Sequence, residues 1–255
     1  MLTFRTEQIE AIARMRRSRL GNRLGTRIRE QYPQQVRILG EEPLQAFARL
    51  AVERAYSYGL NSRQACLHYG MIGLSLGAFF DRDPQLPWAR DTLEDPGLDA
   101  ERKTDRLRLS ATRYTGAITG PGNSYLQTAL RQMQALAASP DLSGLTPGRE
   151  VSVADLMQLL YPQKYATITP EIRAAFSAEA QRKVAEYGLT DRLTTILLVL
   201  LMFLLGSGCD RDPLYPWIRD VLGDPSPEPA ARRQRLLAAF RVYLQRITDI
   251  SGVGV

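Results

Sequence analysis

Residues that bind soft metals are scarce in this chain, which has one histidine and two cysteines among 255 residues. Structural zinc sites need four ligands, drawn mostly from cysteine and histidine. His68, Cys66 and Cys209 are too few to supply such a set, and two scattered cysteines do not form a disulfide framework. We therefore expect no metal site, no cofactor and a reducing, cytoplasmic compartment.

Long apolar runs are missing as well. The amino terminus leads into a charged helical pattern instead of the apolar core of a secretory signal. The most apolar stretch, residues 196–205, is too short to cross a hydrocarbon layer of roughly 30 Å as a helix. These features predict a cytoplasmic protein with no membrane insertion. No segment has the sustained alternation of a strand, so the predicted fold class is all-α.

The chain also has none of the motifs that identify common enzymes. Gly120-Pro121-Gly122 is not followed by the Lys-Ser or Lys-Thr of a phosphate-binding loop. No motif places a serine or cysteine nucleophile beside His68, which we expect to be a hydrogen-bonded, partly buried helix residue. We predict that the protein is not an enzyme, and we assign no catalytic residue.

What the sequence does contain is a repeat with a constant offset of 129 residues. Asp81-Arg82-Asp83-Pro84 and Pro87-Trp88 return as Asp210-Arg211-Asp212-Pro213 and Pro216-Trp217. Tyr58-Gly59-Leu60 likewise returns as Tyr187-Gly188-Leu189. The pattern predicts two tandem helical-bundle repeats, residues 1–119 and 120–255, the second with an inserted helix and loop at about 124–148.

Capping signals predict where the helices begin and end. In the first repeat we expect helices at about 6–31, 41–59, 61–77 and 99–118, with a short helix at Pro87-Trp88. Gly59 and Leu60 fit a Schellman cap, and Asn61 or Ser62 fits an N-cap. In the second repeat we expect an inserted helix at 124–138, a loop at 139–148 and a capping box at Ser152 and Asp155.

The repeated Asp-Arg-Asp-Pro turn has two interpretations. Its paired carboxylates, Asp81 with Asp83 and Asp210 with Asp212, could share a divalent cation or flank a substrate in an enzyme. Alternatively, one aspartate caps the following helix, the arginine bridges the loop, and Pro-Trp anchors a short helix through Trp88 and Trp217. Because both repeats keep the turn, whereas an active site is rarely kept in duplicate, we favour the structural interpretation.

A stripe of arginines in the first helix is the best candidate for a contact surface. Arg16, Arg19, Arg23 and Arg27 fall in one sector of an ideal helix, beside its apolar face. Residues 1–40 carry nine arginines against three glutamates, which leaves 24 basic and 24 acidic residues in the rest of the chain. The positions 129 residues later are Leu, Gly, Ser and Leu, so building a repeat does not require the stripe.

Three interpretations of this stripe remain open. Charge runs are most often solvated faces that pair with the protein's own acids. A docking surface for an acidic protein is the second interpretation. The third, a nucleic-acid contact, is disfavoured because no recognition motif accompanies the stripe and the rest of the chain is charge-neutral.

Four segments together resemble a known group of proteins: Met1 to Gln8, Leu39-Gly40-Glu41-Glu42, Ala55 to Gly59, and the Asp-rich turn leading to Leu86-Pro87-Trp88. They are similar to small helical bacterial proteins encoded beside type VI secretion spike and toxin genes. The resemblance covers residues 1–115 and implies a cytoplasmic accessory protein. Such a protein is either an adaptor or chaperone that holds a toxin for loading, or an immunity protein that neutralises it.

From these features we expect a non-enzymatic binding protein with a protein partner, plausibly a secreted toxin. Nothing in the sequence predicts an oligomeric state.

Overall fold

The computed structural model describes residues 6–138, 152–224 and 228–251 of the chain. Every regular element within these ranges is a helix, and none of the described residues lies in a strand. The predicted all-α class is therefore confirmed. No helix in the described part of the chain has both the length and the apolar character needed to span a membrane.

Six α-helices precede residue 120: α1 (Thr6–Gln31), α2 (Pro33–Leu39), α3 (Glu41–Ser57), α4 (Arg63–Leu76), α5 (Pro87–Glu94) and α6 (Ala100–Thr119). The Tyr32-Pro33 pair ends α1 as expected, but Pro33 also opens α2, which the sequence did not predict. Proline suits a first helical turn because that turn needs no N–H there. Helix α2 thus lies in the interval between the predicted helices at 6–31 and 41–59.

Seven α-helices follow: α7 (Ser124–Ala138), α8 (Val153–Leu160), α9 (Pro162–Tyr165), α10 (Pro170–Glu186), α11 (Arg192–Leu205), α12 (Pro216–Leu222) and α13 (Pro229–Ser251). The inserted helix α7 has the predicted bounds, and Ser152 and Asp155 form the predicted capping box at the start of α8. The loop predicted at 139–148 lies outside the described residues.

The caps between α3 and α4 explain how the chain turns there. The N–H of Leu60 donates to the carbonyl of Ala55, as in a Schellman motif, and Gly59 has φ of 78°. Ser62, one of two predicted candidates, accepts a hydrogen bond from the N–H of Ala65 and so caps α4. Gly188 and Leu189 close α10 in the same manner as Gly59 and Leu60 close α3.

Helices on the two sides of residue 120 correspond in their bounds. Helices α3 and α10 begin at residues 41 and 170 and end at residues 57 and 186, so both ends are 129 positions apart. The same offset relates α4 to α11, which begin at residues 63 and 192 and end at 76 and 205. Gly77 and Gly206, which follow α4 and α11, have φ of 98° and 99°.

A continuous apolar core joins the two parts of the chain. Helix α6 packs against α7 and α9, and α2 packs against α13. The two parts approach each other closely at Gly77, where an added Cβ would lie 2.7 Å from the carbonyl oxygen of Leu205. Trp88 and Trp217 are half-buried rather than fully buried, and each indole N–H has no hydrogen-bond partner among the described residues. Both indole rings pack against the apolar core.

Candidate functional site

The second aspartate of each Asp-Arg-Asp-Pro turn bonds to the opposite part of the chain. Asp83 accepts a hydrogen bond from the backbone N–H of Ser207 (2.9 Å), and Asp212 accepts one from the N–H of Ala78 (2.6 Å). The other oxygen of each carboxylate accepts from the backbone N–H two residues further along its own turn. These exchanged bonds hold the loop after α4 against the loop after α11.

Burial governs the acidity of these two carboxylates. Asp83 and Asp212 are 5% and 3% exposed. Burial raises the pKa of Asp212 to about 6, although the N–H groups of Ala78 and Leu214 act in the opposite direction. Burial also raises the pKa of Asp83, against the hydrogen bonds from Gln85 and Ser207. Both carboxylates are thus removed from water, and the hydrogen bonds from backbone N–H groups replace only part of the hydration that they lose.

The first aspartate of each turn forms a buried ion pair instead of the expected helix cap. Asp81 receives two hydrogen bonds from the guanidinium of Arg54, at 2.5 and 3.2 Å. Asp210 pairs with the ammonium of Lys183 and accepts a hydrogen bond from the hydroxyl of Tyr187 at 2.9 Å. The expectation that one aspartate caps the following helix was wrong, because Leu86 and Tyr215 occupy the N-cap positions of α5 and α12 and neither helix start receives a side-chain cap bond from a described residue.

The arginine of the first turn does bridge outward, as the sequence suggested. Arg82 donates to the hydroxyl of Tyr58 at 3.1 Å and pairs with Glu94 at 2.9 Å. Partners within the chain thus engage all four aspartates of the two turns. The described residues contain no group of three or more His, Cys, Asp or Glu side chains placed to hold a metal ion.

The arginine stripe of α1 lies on the surface without internal acidic partners. Its four members are exposed, and none forms an ion pair or side-chain hydrogen bond with any described residue: Arg16, Arg19, Arg23 and Arg27. Two other arginines of the same helix behave differently, since Arg17 pairs with Glu53 at 2.8 Å and Arg29 with Glu41 at 3.0 Å. The chain's own acids therefore neutralise the flanks of α1 and leave the stripe unpaired.

Part of the stripe lines a groove between α1 and α4 with a volume of about 980 Å³. We call this groove, lined by Arg23, Arg27, Arg63, Leu67 and Met71 among others, the arginine groove. Arg63 adds an exposed cation that has no ion pair among the described residues, and Leu67 and Met71 contribute a half-buried apolar floor. Glu30 also lines the groove, which thus combines three unpaired arginines, one acid and a small apolar surface.

The sequence did not predict Arg63 as part of a contact surface, and it predicted a hydrogen bond for His68. Arg63 opens α4, and no periodicity shows which face of α4 lies beside α1. His68 also lines the arginine groove; it is half-buried as expected, but its Nδ1 atom is buried with no hydrogen-bond partner among the described residues.

No family model matches the chain, and no significant match is found among curated proteins or solved structures. What the protein binds is therefore inferred from its own surface.

Proposed function

We propose that the protein is a non-enzymatic binding protein that holds an acidic protein partner in the arginine groove. The observation that carries this proposal is the set of exposed arginines that form no ion pair with a described residue; it runs along α1 and across to Arg63 on α4, and it outnumbers Glu30, the one acid among the described residues that line the groove. Arginine is enriched in protein interfaces because its planar group bonds carboxylates in pairs and its stem packs on apolar surface. The floor of Leu67 and Met71 provides such a surface.

Two observations separate this surface from an ordinary solvated face. Some exposed arginines elsewhere in the chain pair with nearby acids, as Arg182 does with Glu179 and Glu186, whereas others, such as Arg173 and Arg219, form no ion pair with a described residue. None of the four arginines of the stripe has such a pair among the described residues. All of the formal net charge of +6 also falls within residues 1–40. A local positive field of this kind speeds the approach of an acidic partner.

We further propose that the chain consists of two tandem repeats with a 129-residue offset, with boundaries at residues 1–119 and 120–255. The shared bounds of α3 with α10 and of α4 with α11 support this, as do the exchanged bonds of Asp83 and Asp212. The arginine groove then belongs to the first repeat alone. The duplicated helices then form the scaffold, and the arginine groove is a feature that distinguishes the first repeat from the second.

The partner we propose is a toxin of the type VI secretion system, held by this protein in the cytoplasm as an adaptor or chaperone. Support comes from the resemblance of residues 1–115 to helical proteins encoded beside such toxin genes. An acidic surface on the toxin would complement the groove. Release would then follow when a stronger contact replaces the charge pairs.

Affinity capture with three forms of the protein tests the proposal. The wild type, Arg19→Glu/Arg23→Glu and the control Arg173→Glu/Arg219→Glu are each used to capture proteins from the native strain. The control arginines are exposed on α10 and α12, so both double variants change the net charge equally. We expect one acidic protein to be captured by the wild type and the control but lost from the stripe variant. Capture of the same protein by all three forms would contradict the proposal.

A further inference from the structure

A cavity lies where the two parts of the chain meet. It has a volume of about 510 Å³ and is walled by residues of six helices, α2, α4, α6, α7, α9 and α11, and of the loops beside them. A second cavity of about 400 Å³ shares Leu126, Tyr161, Leu205 and Tyr215 with it. The two spaces adjoin, and together they are within the size range of small-molecule sites, about 300–1,000 Å³.

The first cavity has a cation at its polar end. Lys164 of α9 is 8% exposed, and its ammonium donates to the carbonyl of Leu204 at 3.3 Å. No other hydrogen bond or ion pair of this ammonium is found within the described residues, although an ammonium has three N–H donors. Burial lowers the pKa of Lys164 to about 8, and the charge of Asp83 partly offsets this. At neutral pH the group is therefore a buried cation with unused donors.

An unpartnered acceptor stands in the same cavity wall. Gln85 is 4% exposed, and its amide nitrogen donates to the carbonyl of Met202 at 3.0 Å and to Asp83 at 3.3 Å. Its Oε1 atom is buried and has no hydrogen-bond partner among the described residues. Asp83 already accepts hydrogen bonds from backbone and side-chain N–H groups. It provides neither a hydrogen-bond acceptor for the remaining N–H donors of Lys164 nor a donor for Oε1 of Gln85.

The adjoining cavity is apolar. Its walls include Leu130, Met133, Phe240, Leu244 and Ile247. A molecule that spans both cavities would place a polar head beside Lys164 and an apolar body among these side chains. An acidic head group would accept from the ammonium, and a hydroxyl near it would donate to Oε1 of Gln85.

The equivalent positions in the other part of the chain lack these polar groups. The residue 129 positions before Lys164 is Gln35, which is exposed, and the residue 129 positions after Gln85 is Leu214, which is buried. The helical scaffold is therefore built without a buried lysine or a buried glutamine at these places. A buried, under-bonded ammonium costs stability, and such costs are typical of sites retained for function.

We propose that the joined cavities bind a small carboxylic acid with an apolar chain, the carboxylate on Lys164 and the chain in the apolar cavity. A hydroxyl close to the carboxylate strengthens binding by donating to Gln85. The site shares no lining residue with the arginine groove.

Calorimetric titration with octanoate, 3-hydroxyoctanoate and octanol tests this site. The proteins are the wild type, Lys164→Met, Gln85→Leu and the control Lys103→Met, whose lysine bonds a carbonyl of α5 outside the cavity. Gln85→Leu copies the residue that the other turn carries at Leu214. Circular dichroism checks that each variant is folded.

We expect octanoate to bind the wild type and Lys103→Met in a 1:1 ratio, and octanol to bind at least tenfold more weakly. Lys164→Met should lose at least tenfold in octanoate affinity. The advantage of 3-hydroxyoctanoate over octanoate should vanish in Gln85→Leu, and this comparison holds even if Lys164→Met does not fold. Equal octanoate affinity in the wild type and a folded Lys164→Met would overturn the proposal, as would the absence of binding by all three probes.

Discussion

The buried ion pair between Lys183 and Asp210 allows a quantitative test of how the repeated turn is held. Both side chains are fully buried, and in Lys183→Met the carboxylate keeps the hydroxyl of Tyr187 at 2.9 Å and the more distant guanidinium of Arg211 at 3.9 Å. Removing one member of a buried pair typically costs about 3–5 kcal/mol, because the remaining charge stays buried without compensation. We expect a loss of that size in the free energy of unfolding at pH 7.

Urea denaturation followed by circular dichroism measures this loss. The control is Lys103→Met, which removes a half-buried lysine that bonds only one carbonyl, and here we expect about 1 kcal/mol. The double variant Lys183→Met/Asp210→Leu should recover most of the loss, since a packed apolar pair of similar volume often replaces a buried ion pair without cost. A single variant within about 0.5 kcal/mol of wild type at pH 7 would refute this reasoning.

Three further outcomes follow from the described contacts. In urea denaturation, Gly77→Ala should destabilise the protein by at least about 1 kcal/mol more than Gly59→Ala. Both glycines have positive φ, but only at Gly77 would the added Cβ lie within 3 Å of a carbonyl oxygen. Equal losses in the two variants would argue against this close approach. Trp88→Ala should cost about 2–3 kcal/mol by the same method, below the 3–5 of a fully buried aromatic residue, and an unchanged melting curve would contradict its packing on α6. The low pKa of Lys164 implies a penalty of about 3 kcal/mol, fully present below pH 8 and gone by pH 10.5. Wild-type stability should therefore rise between these pH values relative to Lys164→Met, and parallel pH profiles would contradict this.

Local signals in the sequence predicted most helix ends correctly. The Ser152 capping box, the Ser62 cap and the bounds of α7 follow from side-chain chemistry within a few residues. Helices α2 and α9 were missed because a proline after tyrosine both ends one helix and opens the next. Short helices of this kind have too few residues to show periodicity.

Contacts between distant residues were the harder part. Arg54 and Lys183 are basic at positions 129 apart, each 27 residues before its aspartate, so the repeat did contain a signal for both ion pairs. Asp83 was predicted to act within its own turn, and the bond to Ser207 could not be expected without knowing which loops meet. Lys164 shows the same limit, because the cavity around it has walls contributed by six helices.

The same limit applied to the stripe. Its four positions and its exposed face were predictable from helical geometry, and the exposure is observed. Whether acidic residues elsewhere in the chain neutralise the stripe depends on tertiary contacts, which the sequence does not show. The structure places ion pairs on Arg17 and Arg29, which lie beside the stripe and are not members of it.

The most direct test of the central claim is the association rate of the captured partner with the arginine groove, measured by surface plasmon resonance at 0.1 M and 1 M salt. Rim charges act mainly on the encounter rate, and the Debye length falls from about 10 Å to about 3 Å between these salts. We predict that Arg19→Glu/Arg23→Glu slows association strongly at 0.1 M and only slightly at 1 M, with unchanged helical content, while Arg173→Glu/Arg219→Glu stays close to wild type. An association rate in the stripe variant equal to that of the wild type at 0.1 M would contradict the claim and identify the stripe as a solvated face.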